Sequence, residues 1–256
     1  MGERKNWTED ELILTYYYYC QIPIKKINKN TSEIKNIADL IGRTPSSVVY
    51  KMLNLRYIES QSQNLPEEGK GLSNGGKLDK KVFFHFLNQW EELTARATEI
   101  EQKLSGKSME LKDGINFYPI PEGQTREALI NIRINQNFFR NTVLNAYNNT
   151  CCITGINTPE LLIASHIKPW SESDPKTERT NPCNGLCLNA LHDKAFDRGL
   201  ITVDYKDLTI RISETIGDND TLSWLKQFDK QKIEEPVRFP PNKEFLQYHN
   251  EVIFRS

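Results

Sequence analysis

The chain has 256 residues, with 33 Lys plus Arg against 34 Asp plus Glu and a formal net charge of −1. Charged residues at 26% and apolar ones at 38% are globular proportions, and they exclude a disordered or fibrous chain. A near-neutral total also argues against a nucleic-acid binder, whose domains usually carry a basic excess, unless the charges are unevenly placed.

No window approaches the 18 or so apolar residues of a membrane span, so no membrane partner is expected. The first residues, MGERKNWTEDE, have no apolar stretch of a secretory kind. Five cysteines, at 20, 151, 152, 183 and 187, are odd in number and scattered, which fits reduced thiols and a cytoplasmic location.

Residues 7–57 read as three helices, and 1–58 as an all-α module. Thr8 and Glu11 have the spacing of a capping box ahead of the apolar run Leu12 to Cys20. Asn30 and Glu33 repeat that spacing before the stripe Ile34, Ile37, Ala38, Ile41, which stops at Gly42. Thr44-Pro45 then reads as N-cap and first residue of a third helix through Val48, Val49, Met52 and Leu55. The polar stretch 59–77 is a predicted linker. Apolar positions at 78, 82, 86, 90, 93, 97, 100 and 104 predict one long connecting helix over 78–104.

Residues 105–256, with a core at 138–213, form the predicted C-terminal domain. After an irregular stretch, Leu129 to Ile134 alternates like a strand. A helix follows over about 137–147, then strands at 161–167 and 185–188 flanking a polar loop, and a short helix at 190–197. Gly199 ends that helix, and 201–213 reads as a hairpin about Lys206-Asp207. The tail 214–256 is helical and irregular. The fold class is therefore α+β.

Histidines stand at 85, 166, 192 and 249. His166 ends a β-branched strand, Asn184 opens the next strand, and His192 lies in the first turn of a helix. The segments FFRNTVLNAYNNTCCITGINTPELLIASHIKPW and NPCNGLCLNALHDKAFDRGLITVD, and more weakly FPPNKEFLQYHNEVIF, carry these residues in order. Over roughly 122–256 the chain resembles the HNH, or ββα-metal, nucleases, nearest to their restriction-endonuclease group. The resemblance implies a ββα-metal fold and a divalent-metal-dependent DNA endonuclease. It implies His166 as general base, Asn184 as the residue that orients it or positions phosphate, and His192 as a ligand to Mg²⁺ or Mn²⁺.

Imidazole suits that base role, because its ordinary pKa lies near neutrality. Many HNH enzymes carry Asp just before the base, as a ligand, where this chain has Ser165. Ser165 and Asp193 are therefore further ligand candidates, and Asp197 reads instead as a cap for the turn at Gly199. His85 and His249 match nothing and read as structural. No CxxC pair occurs, so structural zinc is not expected.

The N-terminal module has a helix-turn-helix pattern. Residues 24–57 hold seven basic side chains against two acidic, a local +5 hidden by the total. WTEDEL with IADLIGRTPSSVVYKMLNL resembles the Myb/SANT group. That resemblance implies double-stranded DNA as partner and a third helix in the major groove, with Arg43, Ser46, Ser47, Tyr50 and Lys51 as contacts. Restriction-type HNH enzymes often dimerise, so a homodimer is an expectation. Two other readings stay open: a DNA-binding regulator with a non-cleaving HNH fold, and a non-specific nuclease.

Overall fold

A computed structural model describes residues 6–63, 76–106, 126–217 and 220–255. The chain divides into two compact units, residues 1–138 and 139–256.

The first unit is helical. In α1 (Glu9–Gln21) the predicted capping box is present: the Thr8 N–H donates to Glu11 Oε2 at 2.8 Å, and Glu11 N–H donates to Thr8 Oγ1 at 3.2 Å. The next helix, α2 (Ser32–Leu40), starts after Thr31 and not at the predicted Asn30 cap. The Thr31 hydroxyl instead donates back to the Asn28 and Lys26 carbonyls. Its stripe Ile34, Ile37, Ala38, with Ile41, is buried as the spacing requires. Thr44 Oγ1 accepts from Ser47 N–H at 3.2 Å, and Pro45 opens α3 (Pro45–Gln63).

Three predictions in or next to this unit need correction. First, α3 runs on through 59–63, part of the predicted linker; residues 64–75 of it lie outside the described residues. Glu59 and Ser60 at its start are buried, and Glu59 accepts a hydrogen bond from the Tyr19 hydroxyl. Second, the single helix 78–104 is two, α4 (Lys77–Phe86) and α5 (Trp90–Ser105). Three steps of four residues, 78 to 90, each drift about 40° around a helix, so one straight helix cannot bury them all on one stripe. The break at 87–89 resets the face, burying Val82, Phe86, Trp90, Leu93, Ala97 and Ile100 together. These helices pack on α1 and α3 and do not form a free connector.

Third, Leu129 to Ile134 is not a strand but lies within α6 (Arg126–Ala146), inside which the boundary of the two units falls. The stretch has no Gly or Pro to stop a helix, and Ile134 and Phe138 bury on the four-residue spacing. The irregular stretch 107–125 lies outside the described residues.

The second unit carries β1 (Leu162–His166) and β2 (Gly185–Asn189) as an antiparallel pair in which Ser165 faces Leu186 and His166 faces Gly185. Helix α7 (Ala190–Asp197) packs on both strands. It closes through backbone bonds, Gly199 N–H to Phe196 O and Leu200 N–H to Ala195 O, so the turn does not need the predicted Asp197 cap. Gly199 has φ +67°, and a Cβ there would stand 2.0 Å from the Ile253 carbonyl, so only glycine fits. Strands β3 (Ile201–Val203) and β4 (Ile210–Ile212) form the predicted hairpin. Helices α8 (Asp220–Lys226) and α9 (Lys243–Tyr248) follow. His249 stacks on Phe196 and bonds Thr202 Oγ1 at 2.7 Å and the Phe196 carbonyl at 3.1 Å, a structural placement. Among the described residues no helix is long and apolar enough to cross a membrane.

Candidate active site

His166 is buried at the end of β1, with its ring stacked on Phe139 at 3.9 Å and edge-on to Trp170 at 5.6 Å. Its Nε2 stands 2.9 Å from the Arg179 carbonyl oxygen, which can only accept, so Nε2 carries the proton. In the neutral ring the lone pair is then on Nδ1. Burial pushes the imidazole pKa down from 6.5 to about 4, with the Arg179 carbonyl opposing, so the ring is neutral at pH 7. Arg179 is itself tied down: its Nε donates to the Trp170 and Ser173 carbonyls at 3.1 Å.

Asn184 is fully buried, at the end of a single turn that opens β2. Its Oδ1 accepts from Lys168 N–H at 2.8 Å. Its Nδ2 lies within 3.3 Å of the Lys168 carbonyl, Ser173 Oγ and the Glu178 carbonyl. The amide therefore fastens the loop 168–178, where the sequence suggested a bond to the imidazole. The Asn184 carbonyl accepts from Ile167 N–H at 2.9 Å, which holds the chain just after His166. Lys168 Nζ pairs with Glu178 at 2.6 Å and closes the same loop. His166 and Asn184 thus both bond to the segment that connects β1 to β2.

His192 has different neighbours. It is buried on α7 beneath Trp224 and Phe228, with ring centroids 5.1 and 4.9 Å away. Asn189, the N-cap of α7, accepts from the Leu191 and His192 amides through Oδ1, and its Nδ2 stands 2.9 Å from His192 Nδ1. His192 Nε2 is buried with no hydrogen-bond partner. Burial pushes this imidazole down to about 4 as well.

Adjacent strand residues face opposite ways. His166 meets Phe139 on α6, while Ser165 lies beside Asp193 on α7. Ser165 is buried, with its hydroxyl facing the Asp193 carboxyl. Burial first, then the nearby Asp197 charge, pushes the Asp193 carboxyl up from 3.8 to about 6, against the Ser165 hydroxyl and Lys194. No group of three or more His, Cys, Asp or Glu among the described residues stands close enough to hold a metal ion.

The helical unit places its five candidates unequally. Arg43 grips Glu11 with Nε and Nη2, at 3.2 and 2.7 Å, donates to the Asn6 carbonyl and lies over the Trp7 ring. Lys51 pairs with the buried Asp79 at 2.6 Å. Both charges are paired inside the unit, with Glu11 and Asp79, where the sequence offered them as DNA contacts. Ser46 and Tyr50 are exposed and Ser47 half-buried on the α3 surface. The exposed basic residues of the segment are Lys25, Lys26, Lys29 and Lys35.

Sequence reasoning missed Asn189, Trp224 and Phe228. Asn189 stands three residues before His192, ahead of a helix, which is N-cap spacing and could have been read. Nothing local in the sequence links Trp224 to His192. No curated protein matches the chain. Residues 151–204, which carry β1, His166, Asn184, β2, His192 and α7, match the family model of an HNH endonuclease domain.

Proposed function

We propose that the second unit is a phosphodiester hydrolase acting on double-stranded DNA, of a restriction or phage-defence kind, and that the helical unit selects the DNA. The carrying observation is a buried, neutral His166 whose Nε2–H is fixed on the Arg179 carbonyl, inside the segment that matches an HNH endonuclease. In that tautomer Nδ1 holds the lone pair, so His166 is the general base that takes a proton from the attacking water at Nδ1. Asn184 is the residue that keeps the 168–178 loop, and with it the Arg179 carbonyl, in register with the strand.

Of the three metal-ligand candidates, Ser165 and Asp193 suit Mg²⁺ or Mn²⁺. Both offer hard oxygens, the buried Ser165 hydroxyl faces the Asp193 carboxyl, and a cation relieves the Asp193–Asp197 repulsion. His192 does not fit that role as a neutral ring, because the Asn189 amide donates to its Nδ1 and so leaves a proton, not a lone pair, on Nε2. When bound, such a cation neutralises charge developing on the phosphate. In the helical unit, Ser46, Ser47 and Tyr50 on α3 are the candidates left to face bases, and Lys25, Lys26, Lys29 and Lys35 supply the positive charge for phosphates.

The test is incubation of purified protein with duplex DNA and Mg²⁺ or Mn²⁺. Removing the base in His166→Ala is expected to slow cleavage by about 100-fold or more. Cutting at an undiminished rate would overturn the assignment. A DNA-binding protein that does not cleave is the second reading, favoured by Ser165 where a carboxylate ligand is usual and by the aromatic cover on His192. It predicts specific binding with no nicking in either metal. Homodimers are part of the first reading, since two copies are the simple route to cutting both strands.

A further inference from the structure

We propose that His192 acts as an Nε2–H hydrogen-bond donor to a non-bridging oxygen of the scissile phosphate, and that Asn189 is the positioning residue that dictates this tautomer. The inference rests on the nuclease reading and deepens it.

The argument is one of hydrogen-bond polarity. The Asn189 amide cannot be flipped end for end, because its oxygen is fixed by two backbone donors, Leu191 N–H at 3.1 Å and His192 N–H at 3.0 Å. Its nitrogen must therefore be the atom 2.9 Å from His192 Nδ1, and it also reaches Thr154 Oγ1 at 3.0 Å. An amide NH₂ only donates. His192 Nδ1 must then accept, which puts the ring proton on Nε2. An imidazolium is excluded in the same arrangement, since it would set two donors against each other.

What remains is a neutral imidazole with a buried, unpartnered Nε2–H. Burying a donor without a partner is unfavourable, which is a reason to expect a ligand for it. A nitrogen that carries a proton has no lone pair for a metal ion, but it matches a phosphate oxygen. Trp224 and Phe228 shield it in this state, so they part when the phosphate arrives. The two histidines then divide the work: His166 offers a lone pair and His192 offers a proton in a hydrogen bond.

The experiment uses the full chain with ¹⁵N-labelled histidine at pH 7, with long-range ¹H–¹⁵N correlation to read each ring. His192→Ala identifies the resonances of His192. The wild type is expected to show Nε2 protonated and Nδ1 bare, and its Hε2 signal should shift when a short duplex is added. Asn189→Asp keeps an N-cap of equal quality but offers only acceptors to Nδ1. It should switch His192 to the Nδ1–H form, leave the melting temperature nearly unchanged, and slow cleavage by about 100-fold, the usual effect of losing one transition-state donor.

A wild-type ring protonated at Nδ1 overturns the proposal. So does an Asn189→Asp protein that binds Mn²⁺ more tightly and cuts as fast or faster, the result expected of a carboxylate–histidine–metal arrangement. A wild type that cuts nothing overturns the nuclease reading alone. In that case the tautomer and the duplex-induced shift of Hε2 still decide the assignment of His192, and an unshifted Hε2 overturns it.

Discussion

Asp79 has no exposed side-chain surface and accepts from three groups: Lys51 Nζ at 2.6 Å, Asn54 Nδ2 at 3.1 Å and the Gly76 amide at 3.2 Å. A buried ion pair of this kind adds little over an apolar replacement of both partners, yet losing one partner strands the other. Asp79→Ala is therefore expected to lower the unfolding free energy by about 3 kcal/mol, read from urea denaturation with an unchanged m-value. A loss below about 1 kcal/mol, the usual value of an exposed pair, would show that Lys51 simply turns to solvent. The same pair explains why the surface of α3 was misread. A sequence displays Lys51 and Arg43 as charges in a basic run, but their partners Asp79 and Glu11 lie 28 and 32 residues away. The Thr8–Glu11 cap was legible because both halves lie within four residues. His166, Asn184 and His192 were singled out for another reason, their order in a motif, and the bonds that each of them makes could not be read there.

At the scale of elements, the strands β1 and β2 and the helix α7 stood out because each is short, apolar and punctuated. Helices α4 and α6 show what defeats that reading. A run of apolar residues four apart looks continuous on paper although it drifts round the helix, and Ile130, Ile132 and Ile134 satisfy a period of two as well as a helix. Packing decides such cases, and packing is long-range. Helix α8 is the sharpest instance, because its Trp224, itself 39% exposed, covers a histidine 32 positions earlier that is only 1% exposed. Removing that indole in Trp224→Ala should open His192 to solvent. Carbethoxylation by diethyl pyrocarbonate, followed by mass spectrometry, is expected to modify His192 faster in the variant than in the wild type. His85, on the surface beside Glu92, serves as the internal reference. Equal rates at His192 would mean that Phe228 and the strands alone enclose it.

For the whole molecule, the net charge of −1 conceals an uneven distribution, and the acid response follows from buried histidines more than from that total. Burial lowers His166, His192 and His249 from 6.5 to about 4. In the window between those values the unfolded chain binds protons that the folded chain refuses, so stability falls as pH drops from about 6.5 to 4 and these groups contribute no further loss below it. Asp193 acts in the opposite sense: its carboxyl is raised to about 6, so folding gains as pH falls from 6 towards 3.8. Burial raises Asp197 and Glu101 in the same sense as Asp193, but three histidines, each lowered by more than Asp193 is raised, set the net direction. The melting temperature should therefore be nearly flat above pH 7 and decline steadily between pH 6.5 and 4; a constant or rising value across that window would overturn the buried neutral placement of the histidines. The same values shape the activity profile. His166 stays unprotonated until about pH 4, so an acid limb in cleavage above pH 5 is not loss of the base but unfolding or protonation of the Asp193 carboxyl, the proposed metal ligand raised to about 6. Circular dichroism and initial cleavage rates, measured across one pH series, separate the two: a fall in both together is unfolding, and a fall in cleavage ahead of circular dichroism is Asp193.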